Sequence, residues 1–324
     1  MDGLARSDPV HVMTTRRVTL LGGTGFVGTQ LVYRLAERVD EVTVLTRRAQ
    51  RARMLRVLPN AHAREADVHD PEALAAALAG SDVVINLVGI LNESGGSTFA
   101  RVHDELTAKV VAACRSAGVP RYLHMSALNA DAKGGSSEYL RSKGRAEDAV
   151  RAADDSLAWT IFRPSVIFGE KDAFFNRFAN LLKLMPVFPL AVPESRLAPV
   201  WIGDVCRAMI TSIDDASAAG ATRSLCGPDV FTLRELVEYT GRVAGHERPV
   251  IGLPDWAARA QASVMGRVPG KPFSHDNYLS LQTDSVCPEG CPPQPTSVEA
   301  IVPGYLGRDD WTGRLQKRRA AARR

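Results

Sequence analysis

A glycine-rich loop, Gly22-Gly23-Thr24-Gly25-Phe26-Val27-Gly28, stands between an apolar run and an amphipathic stretch, and it narrows the folds open to this chain more than any other feature. The run before it, Arg17 to Leu21, reads as a short buried strand. After it, Leu31, Val32 and Leu35 recur at helical spacing. Gly23-x-Gly25-x-x-Gly28 is the dinucleotide fingerprint, and Gly22-x-x-Gly25-x-x-Gly28 is its short-chain dehydrogenase form. The chemistry needs these glycines. They permit the tight turn, let the backbone approach a pyrophosphate and let helix pack on strand, while the helix N-terminus presents partial positive charge to the phosphates. Three glycines alone also fit a plain turn; the strand before them and the helix after them favour the nucleotide loop.

The rest of the first half keeps that rhythm. Val42 to Leu45, Arg64 to Val68, Val83 to Val88, Tyr122 to Ser126 and Trp159 to Phe162 read as strands. Between them, helices are expected from Pro71 to Leu78, Phe99 to Ala117 and Tyr139 to Arg151. Alternating strands and helices predict an α/β, Rossmann-type, doubly wound parallel sheet. Beyond Arg163-Pro164 the periodicity weakens. The expected organisation is a flexible extension over 1–15, a nucleotide-binding domain over 16–168 to which 200–226 returns, a smaller C-terminal substrate lobe from 169–199 and 227–311, and a basic tail over 312–324.

Composition excludes several classes. The 324 residues suit a large α/β unit with an appended lobe. Forty basic against 36 acidic residues give +4, too balanced to point to nucleic acid. No apolar run approaches a membrane span, and the N-terminus lacks the apolar core of a secretory signal, so a cytoplasmic protein is expected. The five cysteines are few and scattered, as in a reducing compartment; Cys287 and Cys291, in CPEGC, read as ordinary thiols, and no metal site is expected.

The end of the second strand is where an acid would bind the adenosine ribose of NAD. Arg47 and Arg48 stand there instead, and two guanidiniums suit a 2′-phosphate, so NADP(H) is favoured over NAD(H); the alternative is a solvated pair. Asp67 and Val68 sit where an adenine contact is expected, although Asp67 is as readily a structural residue at a strand end. Asn86, Leu87, Val88 and Gly89 follow the fourth strand beside the cofactor.

Ser126 closes the fifth strand, and thirteen residues later Tyr139 and Lys143 share a helix face at i, i+4. A phenol of pKa about 10 is a poor base near neutrality. An ammonium about 4–5 Å away stabilises phenolate by about 3–4 kcal/mol at an effective dielectric of about 20. Tyr139 is thus the candidate acid/base, Lys143 the group that lowers its pKa and holds the nicotinamide ribose, and Ser126 the donor to the substrate oxygen.

With GGTGFVG, NLVGIL, HMSAL, YLRSK, FRPSVIFG and WIGDV, the chain resembles the extended and atypical short-chain dehydrogenases/reductases, the NAD-dependent epimerase/dehydratase-like family. Through NLVGIL, RPSVIFGEKDAFFNRFANLL and IVPGYLG it resembles in particular the NADPH-binding accessory subunit of respiratory complex I and its bacterial homologues, over about residues 16 to 307. The resemblance implies a seven-stranded sheet, Pro164, Ser165 and Val166 on the nicotinamide face, and a structural Asp204. It implies either an oxidoreductase or a nucleotide-holding subunit or assembly factor of a membrane complex, peripheral on the inner membrane. Where many members carry a relay Asn, this chain has His103, which reads first as a partly exposed helix residue.

The segment from Phe174 to Met185 is rich in Phe and Leu. It reads first as a core helix, and alternatively as the wall for a lipid-like or quinone-like substrate or as a membrane contact. The basic tail Arg314 to Arg324 could add attraction to anionic lipid.

Overall fold

The structure, a computed structural model, describes residues 16–153, 156–268 and 271–306. The expected N-terminal extension, the basic tail and the last residue of IVPGYLG lie outside the described residues.

In the first half, β1 (Arg17–Leu21), α1 (Phe26–Ala36), β2 (Glu41–Thr46), β3 (Ala61–Glu65), α2 (Pro71–Leu78), β4 (Val83–Asn86), α3 (Leu106–Ser116), β5 (Arg121–Met125), α4 (Glu138–Arg151) and β6 (Ala158–Pro164) follow in order. Next come β7 (Ile167–Phe168), α5 (Phe175–Leu184), β8 (Phe188–Leu190), β9 (Arg196–Leu197), β10 (Val200–Trp201), α6 (Ile202–Asp214) and β11 (Ala221–Leu225). The described residues close with β12 (Phe231–Thr232), α7 (Leu233–Val243), β13 (Val250–Gly252), α8 (Asp255–Met265), α9 (His275–Ser280) and α10 (Val298–Leu306).

Seven strands form one sheet in the order β11-β6-β5-β4-β1-β2-β3, every neighbour parallel. This is the doubly wound Rossmann arrangement. A parallel sheet must be covered on both faces, and the strands show it: β5 is buried at every position, and so is β4. One face packs on α1 and α6 through Leu31, Leu35, Val205 and Met209; the other packs on α2, α3 and α4 through Leu74, Leu78, Val110 and Val150. Fully burying each such aliphatic side chain is worth about 1.5–3 kcal/mol against leaving it in water.

A further core joins α5, α7 and α10 through Phe175, Leu182, Leu236, Val237 and Val302. The capping box of Thr232 and Glu235 starts α7. The buried Asp172 carboxylate accepts the backbone N–H groups of Phe174 and Asn176 and the Tyr305 hydroxyl at 2.6 Å, fixing α5 to α10.

Three expectations change. The third strand lies at Ala61–Glu65, not Arg64 to Val68, because its pairing with β2 sets Ala61 opposite Val42; it is an edge strand with only Ala61 buried, so apolar patterning could not mark it. The helix expected from Phe99 opens with a π-helical turn, Ala100–Glu105, before α3. Cys287 is not an ordinary thiol: it is bonded to Cys226, at a sequence separation of 61 and with Cα atoms 5.9 Å apart. The spacing in CPEGC drew attention to the wrong pair, since the true partner arrives at the end of β11. Cys291 keeps a free thiol that donates to the Ser224 carbonyl. Among the described residues no helix is long and apolar enough to cross a membrane.

Candidate active site at the switch point of the sheet

β1 and β4 lie side by side, with Leu21 opposite Asn86, and the chain leaves them in opposite directions along the sheet. Such a switch point opens a crevice at the carboxyl ends of the strands. Both expected loops line it. Gly22 has φ +80°, and a Cβ there would stand 2.9 Å from the Leu87 carbonyl carbon. At Gly28 a Cβ would stand 2.3 Å from the Gly22 oxygen, so helix, loop and neighbouring loop meet at backbone distance. Gly25, exposed, is the N-cap of α1 and offers no side chain to its first turn. This is the cradle a diphosphate requires. Thr24, Phe26 and Val27 are half-buried beside it, and Gly23 packs on Val44. Asn86 is buried, its carboxamide oxygen accepting the Val88 N–H at 3.1 Å.

Arg47 and Arg48 are exposed just past β2. The acid at the tip of β3, Glu65, accepts the Ala49 N–H at 2.6 Å and so is tied to the backbone. Asp67, exposed, accepts the His69 N–H at 2.9 Å and closes a turn, and Val68 packs on α2 and α3.

Helix α4 carries Tyr139 and Lys143. Ser137 caps it through the Leu140 N–H, and Asp276 of α9 accepts the Glu138 and Tyr139 N–H groups at 2.8 and 3.1 Å. One carboxylate from the far end of the chain thus satisfies two of the open donors of this helix. Lys143 is buried, and its Nζ donates to the Met125 carbonyl at 3.0 Å beside Gly89. Burial holds its pKa down to about 8. Tyr139 is half-buried, and burial, helped by the Asp276 charge, pushes its phenol up to about 12. The direction is opposite to the one expected for Tyr139, and the Lys143 ammonium is bonded to the Met125 carbonyl.

Ser126 is likewise placed differently from the expectation. It lies one residue beyond β5, and its hydroxyl donates to Glu147 at 2.5 Å. Glu147 also receives Arg163 at 2.7 and 2.5 Å and Arg151 at 2.6 Å. The serine therefore belongs to a buried ionic network under the helix. Of the other expected residues, Pro164 and Ser165 are buried, Ser165 bonding Ser285, while Val166 lines the cavity described below.

His103, expected to be partly exposed, is 1% exposed. Its Nε2 accepts the Ile90 N–H at 3.1 Å, its Nδ1 pairs with the Ser142 hydroxyl at 2.8 Å, and its ring meets the Tyr139 ring edge-on at 5.7 Å. The π-helical turn adds a residue to the helix and turns this side chain inward, a frequent device at functional sites. Burial, with the Lys143 charge second, brings His103 down to about 2, and burial brings the neighbouring His124 down to about 3. Both values lie below the roughly 6.5 of an unfolded histidine. The unfolded chain therefore takes up protons that the native state refuses, and stability is lost as pH falls below about 6.5, at about 1.4 kcal/mol per unit for each imidazole. The melting temperature should drop between about pH 6.5 and pH 5, and His103→Gln should make the decline shallower; an equally steep decline in the variant would refute the account.

Against Tyr139 opens a cavity of about 280 Å³. Its wall is mostly hydrocarbon, including Phe174 at the N-cap of α5, Phe178 and Leu181 of α5, Met265 of α8 and Phe273, with Asn92, Arg177, Gln261, Asn277 and Ser280 as polar groups. Helix α5 divides its side chains: Phe175 and Leu182 are core, as its first reading expects, while Phe178 and Leu181, with Phe174 at the N-cap, line the cavity.

The loop, the sheet order and the crevice define a dinucleotide-binding protein of the Rossmann class. Residues 22–175 match the NAD(P)H-binding family. The chain is 30% identical over 298 residues to the mitochondrial NADH dehydrogenase [ubiquinone] 1 alpha subcomplex subunit 9 of Mus musculus, covering 87% of this chain and 77% of that one. It is 28% identical over 309 residues to a ceramide reductase of Caulobacter vibrioides, covering 91% and 93%. The fold is also that of the NADPH-dependent quinone oxidoreductase of Escherichia coli in complex with NADPH, with a TM-score of 0.72, 19% identity and coverage of 89% and 99%. The chain belongs to the NAD(P)H-binding family that includes this complex I subunit.

Proposed function

We propose that the protein is an NADPH-dependent reductase of a carbonyl on an apolar, lipid-like substrate. The observation that carries this reading is the cavity: a hydrocarbon-walled space of about 280 Å³ with one phenol in its wall, next to a dinucleotide crevice. Apolar walls with a few polar groups are what an apolar ligand needs. When bound, the nicotinamide supplies the hydride. Tyr139, with its pKa raised to about 12, keeps its proton at neutral pH and donates it to the oxygen that gains charge during reduction. Lys143 lies beside the Gly89 loop and holds the nicotinamide ribose. The loop Gly22 to Gly28, Asp67, Val68 and Asn86 to Gly89, with Pro164, Ser165 and Val166, form the cofactor's bed, and Arg47 and Arg48 take its 2′-phosphate. Ser126 is assigned no contact with substrate. The similarity to a ceramide reductase supports the choice of an apolar substrate.

The test is NADPH oxidation against straight-chain ketones of increasing length. Each methylene that enters the cavity contributes about 0.8 kcal/mol, so kcat/KM should rise about threefold to fourfold per carbon until the cavity is full. NADH should support slower turnover. A flat series would exclude the cavity as the substrate site.

A second reading is favoured by the likeness to the complex I subunit and by the engagement of Ser126 with Glu147. In it the nucleotide is a structural element and the chain is a subunit or assembly factor of a respiratory membrane complex. No turnover with any ketone, together with nucleotide released only on unfolding, would select it.

A further inference from the structure

We infer that the outer face of α8 docks on an anionic phospholipid bilayer, setting the rim of the cavity against the membrane. The inference deepens the proposed reading by giving an apolar substrate a way in, and it rests on that reading only for its purpose.

Helix α8 separates two environments. Ala258 and Ala262 are buried, and Gln261 and Met265 stand in the cavity wall. On the opposite side Trp256, Ala260 and Val264 repeat at i, i+4, i+8 and so form one stripe. Trp256 is 75% exposed and Val264 64%, and Val268 in the turn beyond extends the stripe. An amphipathic helix of a globular protein turns polar residues to water; this one turns a tryptophan and a valine outward.

The stripe runs on to the cavity. The Lys271 N–H bonds the Val268 carbonyl at 2.9 Å, and the Lys271 carbonyl accepts the Asn92 amide at 3.3 Å. Leu91, beside that amide, is exposed and also lines the cavity, so it marks the rim. On the neighbouring strand pair, where Ile251 stands opposite Pro189, the exposed Ile251 and Val187 add to the apolar surface.

Charge selects the occupant. Arg259 and Arg267 are exposed along the stripe, with Arg248 and Lys183 on the adjoining elements; Asp255 pairs with Arg259. Tryptophan with flanking Arg and Lys is the composition that binds at the headgroup level of anionic lipid. A second copy packed on a two-fold axis would bring these same cations toward their own counterparts.

The experiment is flotation of the full chain with vesicles of phosphatidylglycerol and phosphatidylcholine in equal parts, and with phosphatidylcholine alone. The chain should float with the mixed vesicles. W256S/V264S should reduce that partition about tenfold or more, and R259E/R267E should abolish the preference for the anionic mixture, both with NADPH affinity unchanged. The inference is overturned if the W256S/V264S protein floats like the parent, or if it turns a dimer into a monomer with flotation unaltered, which would make the face a contact between copies. A short water-soluble ketone separates the two proposals. Turnover retained with flotation lost supports docking and reduction together; turnover absent with flotation intact removes the reductase reading and leaves the docking surface standing.

Discussion

Tyr139→Phe lowers ketone turnover by about 10²–10⁴ and leaves NADPH affinity essentially unchanged. The reason is the proton. Carbonyl reduction leaves charge on the former carbonyl oxygen, and a donor must meet it within the cavity. Burial, helped by the Asp276 charge, keeps the Tyr139 phenol protonated to about pH 12, so it serves as that donor throughout the neutral range. Phenylalanine keeps the ring. The edge contacts with Phe99 at 6.0 Å and His103 at 5.7 Å survive, so the helix should not move. The measurement is paired: initial rates of NADPH oxidation, and nucleotide affinity by fluorescence. A variant within about fivefold of the parent rate would remove Tyr139 from the chemistry, since a general acid is worth far more. If parent and variant both bind nucleotide and neither turns over, the reading as a structural subunit gains.

The second large effect falls on stability. Glu147→Ala should destabilise the fold by about 3 kcal/mol, because removing one partner of a buried ion pair leaves the other charge uncompensated. The Glu147 side chain is fully buried and gathers Ser126, Arg163 and Arg151. Arg163 is 27% exposed, so water recovers part of the loss. Equilibrium unfolding in urea should show a lower midpoint with an unchanged slope. Glu147→Gln, which keeps an acceptor for Ser126 and loses the charge, should lie between the two. A loss under about 1 kcal/mol for the alanine variant would mean that the network is no better than a surface pair.

How far the sequence reaches depends on whether a signal is local. The glycine loop, the buried strands and α2 from Pro71 to Leu78 stand where reading predicts them, because turn chemistry and apolar periodicity act over a few residues. The third strand was displaced because an edge strand with one buried residue carries almost no pattern. His103 is buried and not partly exposed because it stands inside a π-helical turn, and sequence gives no mark of the extra residue. Ser126 stands beside the expected strand end, but the direction of its hydroxyl is set by Glu147, four residues past Lys143 on the same helix face; that acid at i+4 was the available clue. Asp276 and the Cys226–Cys287 bond were illegible for a simpler reason: their partners are far away in sequence, and only the folded chain brings them together.

The capping of α4 by Asp276 has a consequence for a chain made from one end to the other. The two bonds span 138 and 137 residues. On a ribosome, the strands and glycine loop from β1 to β4 are made long before the carboxylate that closes the first turn of the tyrosine's helix. Two donors of α4 therefore wait for this acceptor until α9 has been made.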